Sequence, residues 1–247
     1  MRELTQQKLQ PVSQSDVQLT IVDAVAEQLG RALPAEAISA MRYYLRFAPQ
    51  LARCTTESLR DAFLAALQLG ADLMPERGEA YIIPFNNRKK GVTEARLVLG
   101  YRYFLRKGYE SGLVRLVRAG IVREGDEYEI ELGTQPRLVH RPKFRSTTPV
   151  LYYVDVVTAS GEHYVQVMGA EEARQLRAQR SQNASPDSPW VSEDSWEAMI
   201  LKTLIRRAYK YMYLPSVLQA AIYLDEQEMT PEPRQSHITE SGYDTEA

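Results

Sequence analysis

Among its 247 residues the chain has one cysteine, three histidines and two tryptophans. A lone Cys54 excludes an internal disulfide. His140, His163 and His237 are too scattered to assemble a zinc set from one local motif. Long hydrophobic runs are missing too. The longest, Ala62 to Leu67, falls far short of the roughly 18 residues that suggest a membrane span. The opening MRELTQQKLQ has no apolar stretch behind its charges, so no secretory signal is expected and the chain reads as cytoplasmic. No GxGxxG occurs, and Lys202-Thr203 follows SWEAMIL with no glycine to wrap phosphate. A nucleotide-driven motor is therefore not expected, nor any cofactor. Asp126, Glu127, Glu129 and Glu131 follow the solvent side of a strand, and no nearby lysine completes a metal-dependent nuclease pattern. No local nucleophile motif surrounds the serines, Cys54 or the histidines. The residues suit binding better than cutting, and no catalytic centre is expected.

What the chain does have is arginine. Of 30 bases 23 are Arg, the side chain whose planar fork matches phosphate oxygens. The net charge of −2 hides an uneven distribution. Residues 86–118 carry nine bases (Arg88, Lys89, Lys90, Arg96, Arg102, Arg106, Lys107, Arg115, Arg118) against Glu94 and Glu110. Further clusters are Arg137, Arg141, Lys143, Arg145 and Lys202, Arg206, Arg207, Lys210. Residues 225–247 hold seven acids and only Arg234, leaving a body of 29 bases and 25 acids. A basic body with an acidic tail is the pattern of a nucleic-acid binder. A merely solvated charged surface is the alternative.

Periodicity divides the body into three parts. Residues 16–73 read as helical: Val17–Leu33, a second helix after Pro34, and a third capped by Thr55 or Thr56 with Leu59, Ala62, Phe63, Ala66 and Leu67 as its buried face. Residues 78–168 mix strands with one helix. β-rich runs fall at 79–84, 95–99, 113–123, 127–132, 150–158 and 163–168, with a turn at Ala159-Ser160-Gly161, a loop or tip at 86–91, and a helix at 100–110. Residues 170–224 return to helix, at 170–180 and over a long tract from about 193 to 224. The expected fold is α+β, a small antiparallel sheet with a packed helix flanked by N- and C-terminal helical segments. The domain is expected to span 1–224, with 225–247 a disordered acidic tail.

In the C-terminal tract Ala198, Leu201, Ile205, Ala208 and Met212 form an apolar stripe, and Lys202, Arg206, Tyr209, Lys210 and Tyr213 repeat on another face. A basic, aromatic face suits a nucleic-acid backbone, with cations on phosphates and rings against sugars or bases. An exposed basic face with tyrosines packed beneath it is the other reading. Arg102, Arg106 and Tyr109 repeat the arrangement on a smaller scale. His140, beside the basic segment 137–145, reads as a partly buried packing histidine.

Several segments in order resemble the RecT family of phage-type single-strand annealing proteins. They are CTTESLRDAFLAALQLGADLMP (54–75), GEAYIIPFNN (78–87), LVLGYR (97–102), SGLVRLVRAGIVREGDEYEIELG (111–133), LVHRP (138–142) and PW…SWEAMILKTLIRRAYKY (189–211). The resemblance implies an ATP-independent recombinase that coats single-stranded DNA, pairs it with its complement and holds the annealed duplex intermediate. It further implies a homo-oligomer, ring or helical filament, beside a phage exonuclease and the host single-strand-binding protein. Carried over by motif, Tyr101 and Arg102 (GYR), Arg123 (VREGDE) and Lys202, Arg206, Arg207 and Lys210 (KT-IRR-KY) would line a DNA groove. Arg106, Lys107, Arg115 and Arg118 join them from charge and spacing. The chain departs from the family pattern at Tyr103, where most members have glycine, and in MYLPSV after Lys210-Tyr211. A passive single-strand-binding protein is the alternative function. The acidic tail either competes with DNA, recruits a partner or only solubilises.

Overall fold

The computed structural model describes residues 21–27, 33–87, 89–182 and 188–229. A helix over 21–27 (α1) leads to α2 (Ala35–Phe47), preceded by Pro34 with φ −56°. α3 (Thr56–Gln68) starts where the Thr55 hydroxyl accepts from the Ser58 N–H at 3.3 Å, the N-cap arrangement that satisfies an otherwise orphaned helix donor. Ser58 Oγ in turn accepts from the Ala95 N–H at 2.8 Å, and the Thr55 N–H donates to the Thr93 carbonyl. These bonds fix α3 to the antiparallel hairpin of β1 (Ala80–Asn87) and β2 (Val92–Leu99), paired from Ala80↔Leu99 to Asn87↔Val92. Gly91 closes the hairpin at φ +67°. Leu59, Ala62, Phe63 and Ala66 of α3 are buried with Ala80, Ile82, Ala95, Leu97 and Leu99 of the hairpin in one hydrophobic core.

α4 (Tyr101–Glu110) follows β2 directly, and β3 (Val114–Arg123) begins a three-stranded antiparallel sheet. Its central strand is β6 (Pro149–Thr158) and its far strand β7 (His163–Gly169), joined by a turn through Gly161 at φ +91°. The central strand is buried on both faces, with Tyr152, Val154 and Val156 on one and Tyr153, Asp155 and Val157 on the other. β4 (Glu127–Glu131) and β5 (Arg137–Arg141) pair only with each other. The helices α5 (Ala170–Ser181), α6 (Trp196–Tyr209) and α7 (Ser216–Met229) complete the described residues. α6 packs on β6 and β7, with Trp196 edge-on to Tyr152 at 6.0 Å between ring centroids.

The architecture is α+β, with three small antiparallel sheets among the described residues where the sequence suggested one. The segment Arg137–Arg141, read from sequence as a basic cluster, is a strand. The expected continuous helix 193–224 is two helices, broken at Lys210–Pro215, because the proline ring cannot continue the α6 hydrogen-bond ladder. α7 then runs past 224, so the boundary drawn there from acid content falls inside a helix. The expected first helix, 17–33, is described only over 21–27, and the remainder of the acidic tail, 230–247, lies outside the described residues. Among the described residues no helix is long and apolar enough to cross a membrane.

Candidate nucleic-acid interface

The GEAY and GYR elements, about twenty residues apart in sequence, meet at the base of the β1–β2 hairpin. The Gly100 N–H donates to the Glu79 carbonyl at 2.7 Å, and a Cβ on Gly100 would stand 2.0 Å from the Gly78 carbonyl oxygen. Gly78 has φ +65°. Both positions therefore require glycine, one for close approach and one for backbone conformation. Around them three side chains face solvent: Tyr81, Tyr101 and Arg102, with the rings 38% and 39% exposed. Arg102 donates to the Tyr101 hydroxyl at 3.5 Å and to the Arg77 carbonyl at 3.4 Å, and it has no carboxylate partner among the described residues.

Behind this exposed group lies a partly buried support. Arg106 donates from Nε and Nη2 to the two oxygens of Glu79 at 2.6 Å each, from Nη2 to the Gly70 carbonyl at 2.8 Å, and from Nη1 to Glu110 at 2.7 Å. Such a bidentate pair fixes orientation as well as charge. Burial pushes the Glu79 carboxyl up, but the bonds from Arg106 and the Asp72 N–H outweigh it and hold it below the usual carboxylate range. Its bonds to Glu79 and Glu110 outweigh burial and raise Arg106 above its ordinary value. Lys107 pairs with Glu110 at 3.2 Å. Arg106 and Lys107, expected on a groove, are thus held inside the protein's own ion-pair network. Arg106 thereby ties α4 to Glu79, next to the hairpin that carries Tyr81, whereas Lys107 pairs within α4.

On β3 the arginines diverge. Arg115 is exposed and has no carboxylate partner among the described residues. Arg118 pairs at 2.5 Å with Asp155, a carboxylate 2% exposed that also contacts His163 Nδ1 at 3.0 Å. Arg123 reaches the Thr147 carbonyl and Glu197, tying the end of β3 to the start of α6. Nearby, Asp126 accepts from the Lys143 N–H at 2.7 Å, the Arg123 N–H at 2.9 Å and His140 at 3.0 Å, which lowers its carboxyl to about 2. His140 also contacts the Tyr153 hydroxyl at 3.1 Å and is partly buried, as expected from sequence. Arg123, His140, Phe144 and Arg145 border a cleft of about 640 Å³. Phe144 is 90% exposed at φ +54°, an aromatic beside cations that sequence reading passed over. Its signal is a phenylalanine set between Lys143 and Arg145 with no apolar neighbour.

On α6 two of the residues expected along a groove lie in the interior. Lys202 and Arg206 are 1% and 4% exposed. Lys202 Nζ donates to Asp225 Oδ1 at 2.7 Å, and Arg206 Nη1 lies 2.9 Å from Asp225 Oδ2. Tyr209 is also buried, its hydroxyl donating to the Phe104 carbonyl at 3.2 Å, and burial pushes that hydroxyl well above the usual tyrosine range. The basic face is turned inward because α6 is enclosed by the sheet, α4 and α7. The residues that do reach solvent are Arg207, 3.0 Å from Glu172, and Lys210, 2.6 Å from Glu226. Tyr213 is 94% exposed beyond the helix end. Of the expected groove residues, Tyr101, Arg102 and Arg115 are therefore the ones presented without a carboxylate, whereas Lys202 and Arg206 are interior. Among the described residues no three His, Cys, Asp or Glu gather as metal ligands.

The sequence pattern of the RecT family matches residues 32–240. Protein RecT of Escherichia coli (strain K12) is 33% identical over 230 residues, covering 89% of this chain and 84% of that protein.

Proposed function

The chain belongs to the RecT family, whose members act in DNA recombination and single-strand annealing, and from that premise we propose that it pairs complementary single strands without ATP, as an oligomer on DNA. The observation that carries the reading is the close-packed glycine junction presenting Tyr81, Tyr101 and an Arg102 with no carboxylate partner among the described residues. Annealing requires that the repulsion of two phosphate chains be neutralised while base edges stay free to test their complement. A cation on phosphate beside aromatic rings meets both requirements, because it releases condensed counterions and reads no sequence. Pairing itself supplies the driving force, about 1.4 kcal/mol per stacked step, so no hydrolysis is needed. In this reading an exonuclease exposes the strand, a host single-strand-binding protein covers it, and Arg115 and the cleft at Phe144 extend the binding surface.

The test is a fluorescence assay of two complementary oligonucleotides without ATP across a range of salt. The protein is expected to accelerate pairing, and Arg102→Glu to slow it at least tenfold with the fold intact by circular dichroism. Binding without acceleration at any salt would make the protein a passive binder and overturn the proposal.

A further inference from the structure

The ion cluster between α5, α6 and α7 is not balanced. Lys202 and Arg206 share one carboxylate, Asp225, which is 1% exposed. Arg180, at the end of α5, is half-buried and interacts electrostatically with Arg206, Asp225 and Glu226. Glu226 is engaged by Lys210. Among the described residues the cluster thus sets four cations, Arg180, Lys202, Arg206 and Lys210, against two carboxylates, Asp225 and Glu226, where unpaired buried charge is costly.

The hydrogen bonds are incomplete in the same place. Nε and Nη1 of Arg180, Nε and Nη1 of Arg206, and Oδ2 of Asp225 are buried with no hydrogen-bond partner among the described residues. The 2.9 Å approach of Arg206 to Asp225 is therefore ionic contact without a directional bond. Burial and the neighbouring Arg206 lower the Lys202 ammonium despite Asp225, and burial and Arg206 lower Arg180. A purely structural ion cluster would balance its charges and satisfy its donors. This one has surplus positive charge and unused guanidinium donors, the complement of a tetrahedral oxyanion.

We propose that Arg180, Lys202 and Arg206 form a binding site for a phosphate oxyanion, entered beside the half-buried Arg180, with Asp225 as the anion already resident in part of it. The phosphate comes either from a DNA backbone or from free phosphate. The DNA alternative rests on the annealing reading, and the site itself does not.

Thermal unfolding of the full chain in inorganic phosphate, against chloride at matched ionic strength, tests the site without DNA. Phosphate is expected to raise the wild-type Tm by about 3 °C or more, as a ligand of the folded state does. Asp225→Asn, with one carboxylate fewer, should start lower and gain more from phosphate. Arg180→Gln, which removes the buried Nε and Nη1 donors from a half-buried side chain at the edge of the cluster, should fold and lose the phosphate response. Equal shifts in phosphate and chloride, or an undiminished response in Arg180→Gln, would overturn the proposal. A labelled oligonucleotide separates the sources. If the backbone supplies the phosphate, Arg180→Gln reduces the slope of log affinity against log salt by about one. If free phosphate does, that slope stays while the thermal response is lost. Failure of annealing with the phosphate response intact would sink the functional reading alone.

Discussion

α4 and α6 carry nearly the same pattern, a cation four residues before an arginine and then a tyrosine three further on: Arg102, Arg106, Tyr109 in one and Lys202, Arg206, Tyr209 in the other. The structure treats them in opposite ways. In α4 the first cation is exposed and the second is held by Glu79; in α6 both are interior on Asp225, and the tyrosine lies under α4. Spacing fixes which side chains share a helix face. It does not fix whether that face meets solvent, which depends on elements that arrive from elsewhere in the chain. α6 has α7 over it, bringing a carboxylate 23 residues downstream. α4 leaves its Arg102 end at the hairpin base, where the glycines admit only backbone and rings.

The strongest way to break this contrast is to remove the carboxylate that makes α6 interior. Asp225→Ala leaves Lys202 and Arg206 buried without their counter-charge, and a loss of about 3–5 kcal/mol is expected in urea denaturation. A loss under about 1 kcal/mol would mean that α7 is easily shed and that α6 presents its cations after all.

How far the sequence revealed this follows the range of the interaction. The strands were legible because short runs rich in Val, Ile, Leu and Tyr lie between turn signals, as in LVRLVRAGIVR and VLYYVDVVT. The cap at Thr55, the glycine turns and α4 are equally local. β5 escaped notice because its ends are arginines and a proline follows, so charge masked a five-residue strand. Asp225 was counted with the acidic tail, since nothing nearby marks it as the partner of a lysine 23 residues earlier. Within the site, the exposed Arg102 and the interior Arg206 read alike in sequence. Only the packing of α7 separates them.

A smaller perturbation tests the joint between the two helices. Gly108 of α4 lies where a Cβ would come within 2.1 Å of the Tyr209 hydroxyl and 3.0 Å of Cζ. Gly108→Ala must push Tyr209 off the Phe104 carbonyl or separate the helices, although alanine is the better helix former. Overpacking of this kind costs about 1–3 kcal/mol, so the urea midpoint should fall. An unchanged or higher midpoint would show that Tyr209 has room to move and that α4 and α6 are not rigidly coupled.

The smallest effect is expected within α6 itself, between adjacent arginines. Arg206 points inward to Asp225, whereas Arg207 is 41% exposed and meets Glu172, itself 52% exposed. An exposed pair is screened by solvent, and ordering two long side chains offsets most of its attraction. Arg207→Ala should therefore change stability by less than about 1 kcal/mol, with little further change when Glu172 is also replaced. Arg206→Ala should cost clearly more, because it leaves Asp225 with one cation fewer and opens space against α7. Equal costs for the two would mean that the turn of α6 between interior and surface does not fall where the geometry puts it. The comparison with α4 would then lose its basis, since that comparison depends on neighbouring cations of one sequence motif facing opposite environments.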